Sequence, residues 1–294
     1  MSALAYRHQR VQRLRRLVGR RDARKEEGRF VIEGVNLLEE ALRAGTPIEA
    51  VYLDSSWQPS ASAQGAGEDG PDLTRSSSER LVGLVERCYG LGARVFQLEP
   101  GVLARVAGTV TPQPVLAVVQ LPLRTMADLA EHRPQLVVAC VDVRDPGNAG
   151  TVARSAWAAG ADAVVCCEGT VDLWNPKAVR SSAGAVLHIP VVAAGPAPET
   201  LGELGLWGLR RWGTVPAGGE DYAAVDLARP SALVVGNEAA GLPVGELRAH
   251  LDGLLSIPMA AGAESLNVGM AAAVLCFEAA RQRRAGASGK LAGS

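Results

Sequence analysis

No apolar run in this 294-residue chain approaches the roughly 18 residues needed to cross a bilayer, which excludes a membrane-spanning helix. The arginine-rich beginning has no apolar stretch and small-residue cleavage site behind it, so a soluble, cytoplasmic protein is expected. Cysteine is scarce: Cys88, Cys140, Cys166, Cys167 and Cys276 are odd in number, form no Cys-x-x-Cys pair and lie mostly in apolar runs. They are expected to be reduced core residues rather than a disulfide framework. Cys166 and Cys167 would point to opposite faces of a strand, and His8, His132, His188 and His250 are scattered. The ligand spacing of a zinc site is missing, so no metal is expected. A P-loop, paired acids and a Ser-His-Asp arrangement are missing too, which leaves a chemistry that leans on binding and orientation.

Net charge is also nearly missing, at -1, but this balance hides a segregation. Residues 1 to 29 hold ten Arg or Lys against three acids, so this stretch carries +7 and the remainder -8. Val11, Leu14, Leu17 and Val18 recur at helical spacing, which predicts an amphipathic basic helix over 7–25. Its arginine face is either a solvated surface or a phosphate-binding one; the size of the excess and its arginine content favour phosphate. Arg10, Arg13, Arg16 and Arg20 are the candidate phosphate contacts.

The length allows two domains, since roughly 100 to 200 residues make one. Residues 1–122 alternate strand and helix as a small α/β domain, interrupted at 55–78 by a Ser-, Ala-, Gly- and Pro-rich segment expected to be a flexible insertion. Gly65, Gly67 and Gly70 there match G-x-G-x-x-G only literally: no strand precedes them, no helix follows, and Asp69 and Asp72 would repel a pyrophosphate. Residues 123–134 read as a linker, 135–283 as a second domain and 284–294 as a disordered tail. In the second domain LVVACVD, ADAVVCCE, HIPVV, GLRRWGTV, ALVVG and LLSIPM are near-continuous apolar runs of the kind buried on both faces of a parallel sheet. Helices are expected from near Ala149, Asn175, Glu199, Gly245 and Ser265, which makes the fold class α/β.

Three polar loops follow strands in this domain: 145–154, 236–242 and 257–268. In the first, Pro146 and Gly147 break the strand, Asn148 is a candidate helix cap, Gly150 permits close backbone approach, and Arg154 falls about one turn into the helix. In the second, Gly236, Asn237 and Glu238 stand at a strand end, where a carboxylate faces the ligand crevice of an open α/β sheet. In the third, Ser265 is a candidate N-cap with Asn267 in the first turn, and Met259 and Leu266 form apolar walls. Any one of these could be an ordinary turn.

Together they carry a resemblance. D-x-x-x-x-x-N-x-G-x-x-x-R is matched by Asp142, Asn148, Gly150 and Arg154, and G-x-E-x-x-G-L by Gly236, Glu238, Gly241 and Leu242. I-P-M followed by S-L-N-V is matched by Ile257, Pro258, Met259, Ser265, Leu266, Asn267 and Val268. This half resembles the SpoU (TrmH-like) family of RNA ribose 2'-O-methyltransferases, within the SPOUT superfamily. NPKAVRSSAGA at 175–185 matches a further family segment and would bring Lys177, Arg180 and Ser182 near RNA. Gly269 departs from the family, where serine is common. The first domain is similar, more loosely, to the ribosomal-protein-like RNA-binding module fused to many of these enzymes.

The resemblance implies a parallel sheet with a deep trefoil knot, an exception to the general absence of knots. It implies S-adenosylmethionine held by Gly236, Asn237, Glu238, Ile257, Met259, Leu266 and Asn267, and a catalytic set of Asn148, Arg154, Glu238, Ser265 and Asn267. It implies a homodimer packed through the last helix, with 23S ribosomal RNA favoured as substrate over transfer RNA. Some relatives with this two-domain plan protect the ribosome from antibiotics, so resistance is a role the resemblance allows. A catalytically silent RNA-binding factor of the same fold is the reading from a different class. The family assigns the matching arginine as general base; a guanidinium does not normally lose its proton, so Arg154 is expected to hold the target and stabilise alkoxide charge.

Overall fold

The computed structural model describes residues 3–56, 77–107 and 112–291. The chain divides into two units, Met1–Pro122 with Trp174–Pro176 and Leu123–Leu173 with Lys177–Ser294. Most of the insertion expected at 55–78, including Gly65, Gly67 and Gly70, lies outside the described residues.

The first unit runs α1 (Gln9–Gly19), α2 (Arg21–Glu27), β1 (Arg29–Glu33), α3 (Val35–Arg43), β2 (Ile48–Asp54), α4 (Ser77–Gly90), β3 (Arg94–Leu98), α5 (Val102–Ala107) and β4 (Val115–Gln120). Its sheet has the order β1-β4-β2-β3, antiparallel except for the β2–β3 pair. Val11, Leu14 and Leu17 bury the apolar stripe of α1 in one cluster with Val31, Tyr52, Leu98 and Leu116. The single basic helix expected over 7–25 is in fact two. Arg20 is extended (φ -126°, ψ 120°) between them. The break is held by Arg24, which turns inward and donates to the carbonyls of Leu17 and Val18, two acceptors left without a helical partner at the end of α1.

The second unit runs α6 (Met126–Glu131), β5 (Leu136–Cys140), α7 (Pro146–Ala158), β6 (Ala163–Cys166), α8 (Pro176–Ser181), β7 (Val191–Ala193), α9 (Ala197–Leu206), β8 (Arg210–Thr214), β9 (Glu220–Asp221), β10 (Ser231–Val235), α10 (Val244–Leu247), β11 (Gly253–Ser256) and α11 (Val268–Leu291). Seven strands pair in the order β7-β6-β5-β10-β8-β11-β9, every pair parallel. Every residue of β5, β6 and β10 is buried, as strands covered on both faces require.

Two segments depart from expectation. The stretch read as a linker contains α6, opened by a capping box between Thr125 and Asp128. The tail expected to be disordered from 284 continues as helix to Leu291. Arg283 anchors the preceding turn by donating to the carbonyls of Gln135, Leu227 and Arg229, which ties the helix down just before the stretch expected to be disordered. All five cysteines are free and buried. No described helix is long and apolar enough to cross a membrane, and no described group of three His, Cys, Asp or Glu could hold a metal.

Candidate active site

The C-terminal ends of β5, β10, β8 and β11, neighbours in the sheet, form one rim, the place where open parallel sheets bind ligands. The first and second loops are joined by two side chains. Asn237 Nδ2 donates to the Asp142 carbonyl (2.9 Å) and carboxylate (3.2 Å), while its Oδ1 accepts from the N–H groups of Ala239 and Ala240. Asp142 is held there in a left-handed conformation (φ 56°) that, glycine apart, a locally bonded Asp or Asn tolerates best. Glu238 accepts from the N–H groups of Arg144 (3.1 Å) and Asp145 (2.9 Å) and from Asn148 Nδ2 (3.1 Å).

The third loop joins through Asn267, whose Nδ2 donates to Asn148 Oδ1 at 2.8 Å. The orientation of every amide in this chain follows from Glu238. An ionised carboxylate can only accept, so Asn148 must turn its NH2 to Glu238 and its oxygen to Asn267. Asn267 then presents its own oxygen to the N–H groups of Gly269 (2.9 Å) and Met270 (3.3 Å). The first loop is thus locked to the second and third, about a hundred residues further along the sequence, by one hydrogen-bonded relay.

Two caps differ from expectation. Asp145, not Asn148, caps α7: its carboxylate accepts from the Asn148 N–H, and Pro146 takes the first helical position, where no N–H is needed. Arg154 consequently lies more than two turns into the helix rather than one. Asn267, not Ser265, caps α11, because the helix begins at Val268. Gly150 does allow close approach: a Cβ there would fall 2.3 Å from the Ala178 carbonyl oxygen and 1.9 Å from Ser181 Oγ. Gly269 is nearer the site than its place in the motif suggests, since a Cβ would meet Thr151 Cγ2 at 2.8 Å.

A pocket opens on the rim, lined by Gly236, Asn237, Glu238, Ile257, Met259, Ser265 and Leu266, together with Thr214, Val215 and Pro216. Its floor is backbone: Asn237 and Gly241 exchange both N–H···O bonds, and Gly236 packs so tightly on Gly241 and Leu242 that a Cβ would lie 2.5 Å away. Its wall is apolar, and Leu266 remains 43% exposed there. Sequence reasoning missed Thr214, Val215 and Pro216. The signal was available, since Thr214 and Val215 end the strand GLRRWGTV and the turn sequence PAGG follows on the same rim.

Burial pushes Glu238 up, but the hydrogen bonds from Arg144, Asn148 and Asp145 outweigh it and hold the carboxyl below its usual range. Asp145 is lowered chiefly by Lys177, whose Nζ sits 2.8 Å from its carboxylate, and next by the Asn148 N–H. Lys177 is therefore engaged in holding the first loop. Arg180 is half-buried on α8, and Ser182 is buried with its hydroxyl donating to the Val179 carbonyl, so Ser182 is not at the surface. Arg154 is exposed, forms no hydrogen bond or ion pair among the described residues, and does not line the pocket.

In the first unit, Arg13 bridges Glu27 and Glu49 at 2.6 Å each, and Arg16 pairs with Glu27 at 2.6 Å. Glu49 is held below its usual range, chiefly by the hydrogen bond from Arg13. Arg10 lies over the Phe96 ring at 4.6 Å, and Arg20 is exposed.

Residues 135–277, which contain all three loops, match the SpoU rRNA Methylase family, and residues 8–117 match the MRM3-like substrate binding domain. Over 254 residues the chain is 35% identical to 23S rRNA (guanosine(2553)-2'-O)-methyltransferase RlmP of Bacillus subtilis strain 168, covering 86% of this chain and 89% of that one. The chain belongs to the SpoU family. A second relative, 23S rRNA (uridine(2479)-2'-O)-methyltransferase of Streptomyces viridochromogenes, is 30% identical over 95% of this chain and 92% of its own. The crystal structure of the SpoU methyltransferase AviRb from Streptomyces viridochromogenes in complex with the cofactor AdoMet superposes with a TM-score of 0.76, at 28% identity, over 95% of this chain and 99% of that one. As a SpoU member the chain carries its three family loops on adjacent strand ends of one sheet, with their side chains already joined.

Proposed function

We propose that this protein transfers a methyl group from S-adenosylmethionine to a ribose 2'-hydroxyl of 23S ribosomal RNA. The observation that carries this reading is the Asn267–Asn148–Glu238 relay at the rim of a backbone-floored pocket with an apolar wall. The pocket fits the cofactor chemically. Exposed Leu266, with Met259 and Ile257, offers a surface for a flat adenine, while a floor of tight glycine backbone leaves peptide groups near at hand. S-adenosylmethionine supplies, when bound, an electrophilic methyl on a sulfonium.

The protein's part is to place the 2'-oxygen in line with the carbon–sulfur bond that breaks; the hydroxyl proton, which in this reading neither Glu238 nor Arg154 takes, passes to solvent water. Orientation alone can contribute roughly 7–11 kcal/mol in well-aligned reactions. Asn148 is positioned for this by Glu238 and Asn267, so Glu238 is a positioning residue in this proposal rather than an acid or base. Ser265, at the pocket with no helix to cap, is available to the substrate. Arg154, exposed and without a partner among the described residues, holds the target phosphate or ribose and stabilises developing alkoxide charge, because a guanidinium keeps its proton at working pH. Its distance from the pocket lining agrees with a homodimer in which the RNA site draws on both subunits. The basic first unit binds the RNA, and the protein acts in the cytoplasm where ribosomes assemble.

RlmP and the Streptomyces viridochromogenes enzyme act on different 23S nucleotides at similar distance from this chain, so the nucleotide is left to experiment. Transfer of tritiated methyl from labelled cofactor should enter 23S RNA in alkali-resistant form. It should be lost in Arg154→Ala with cofactor affinity unchanged. Incorporation into transfer RNA alone would overturn the ribosomal reading, and binding of RNA without any incorporation would mark a silent factor. Retained transfer in Arg154→Ala removes that residue from catalysis. Mapping ribose methylation in cells with and without the gene identifies the nucleotide, and drug susceptibility of the same pair decides whether the modification confers resistance.

A further inference from the structure

The arginines of the first unit fall into two groups that the sequence does not separate. Arg13 and Arg16 of α1, with Arg29 of β1 and Arg94 of β3, converge on Glu27 and Glu49 at 2.6 to 3.2 Å. Arg15, next to Arg16 in the chain, points elsewhere. Its guanidinium lies over the Tyr6 ring at 4.7 Å, and that of Arg105, from α5, lies over the same ring at 3.7 Å. Arg7 joins them on a cleft that Tyr6 also lines. Arg7, Arg15 and Arg105 are all exposed, and none forms an ion pair among the described residues; Glu99 is the one acid lining the cleft.

The two groups should meet an anion very differently. A phosphate approaching Arg13 or Arg16 must compete with Glu27 and Glu49, carboxylates that already hold these guanidinium groups and repel a second anion, which offsets what it gains. A phosphate approaching the Tyr6 cleft meets two guanidinium groups already held over one aromatic ring, that of Arg15 with Nη1 donating to the neutral Gln12 Oε1 at 3.1 Å and its remaining donors unengaged by any acid among the described residues. Little side-chain freedom remains to be lost there on binding. Three cations against one acid, drawn from two helices and the segment before them, suit a chain of phosphates better than a single small anion.

We infer that the phosphodiester backbone of RNA docks on the Arg7–Arg15–Arg105 cleft around Tyr6, and that Arg13 and Arg16 are structural cations of the first unit. This rests on the RNA-methylating reading above and reassigns its docking residues. The test uses the full-length protein and a fluorescein-labelled 20-base-pair RNA duplex, titrated across potassium chloride concentrations. The variant Arg7→Gln/Arg15→Gln/Arg105→Gln should bind more weakly, with a log-log salt slope shallower by about 0.9 for each phosphate contact removed. Arg16→Gln should leave the slope unchanged, and Arg15→Lys should keep the slope while losing affinity. If the triple variant fails to fold, the single exposed changes Arg15→Gln and Arg105→Gln carry the same comparison against Arg16→Gln. An unchanged slope in the cleft variants, or an equal loss in Arg16→Gln, overturns the inference. Methyl transfer into 23S RNA by the unaltered protein is measured alongside. Transfer present with an unchanged cleft slope sinks only the docking site, whereas a cleft-dependent slope without transfer sinks only the reaction.

Discussion

Among single residues, Glu238 has the widest consequences, because one carboxylate orders the backbone of the first loop, the amide of Asn148 and, through it, Asn267. Its depressed pKa makes the clamp complete above the unfolded-state value of about 4.3 and lost only as pH falls through the lower folded value. Activity limited by this group should therefore be flat through neutral pH and fall only in acid. Glu238→Gln can still accept through its oxygen but brings a competing donor, so kcat/KM at neutral pH is expected to drop at least about tenfold, roughly 1.4 kcal/mol. The acid-side fall should vanish with it. A pH–rate profile of the glutamine variant that overlays the unaltered one would show that Glu238 is not the clamp. That Glu238 stands at the ligand rim was readable from the strand end it occupies; that its carboxylate receives three hydrogen bonds was not, since the donors come from residues about ninety positions earlier.

Among elements, the crossing of α7 over α8 depends on one missing methyl. Gly150 faces the Ala178 carbonyl and Ser181 Oγ, and neither a backbone carbonyl nor a hydroxyl already bonded to Pro146 and Ala178 moves aside cheaply. Gly150→Ala is expected to cost roughly 1–3 kcal/mol by overpacking. It should lower Tm by several degrees, as a change of that size does in domains of this length, and displace Asn148 half a turn earlier. An alanine variant with unchanged Tm and unchanged methyl transfer would refute the close crossing. The helices themselves were legible from apolar spacing and from Pro and Gly signals, but their caps were not. Asp145, Asn148, Ser265 and Asn267 are all good capping residues by type, and only the backbone path decides which of them meets the free N–H groups.

At the scale of the whole molecule, α11 leaves Met270 57% and Phe277 47% exposed, seven residues apart and so on one side of the helix. The proposed homodimer would cover them. Met270→Glu/Phe277→Glu should convert the dimer to a folded monomer in light scattering and abolish methyl transfer, while Tm of the isolated chain changes little because both side chains are already in solvent. A double variant that keeps the dimer mass would place the interface elsewhere.

The α/β class, the six main strands of the parallel sheet and the three loops at its rim were determined by the sequence alone. Buried parallel strands leave near-continuous apolar runs, and the loops that follow them must collect at one rim. What only the tertiary structure decided was which polar groups meet. Asn148, Glu238 and Asn267 are far apart in the chain and join only when β5, β10 and β11 are laid in order. Likewise Arg15 and Arg16 are neighbours with the same chemistry, and only the packing of Tyr6, Arg105, Glu27 and Glu49 around α1 gives one an aromatic face and the other a carboxylate. Periodicity reports which side of an element is buried; the partner of a charged group depends on which elements are brought beside it.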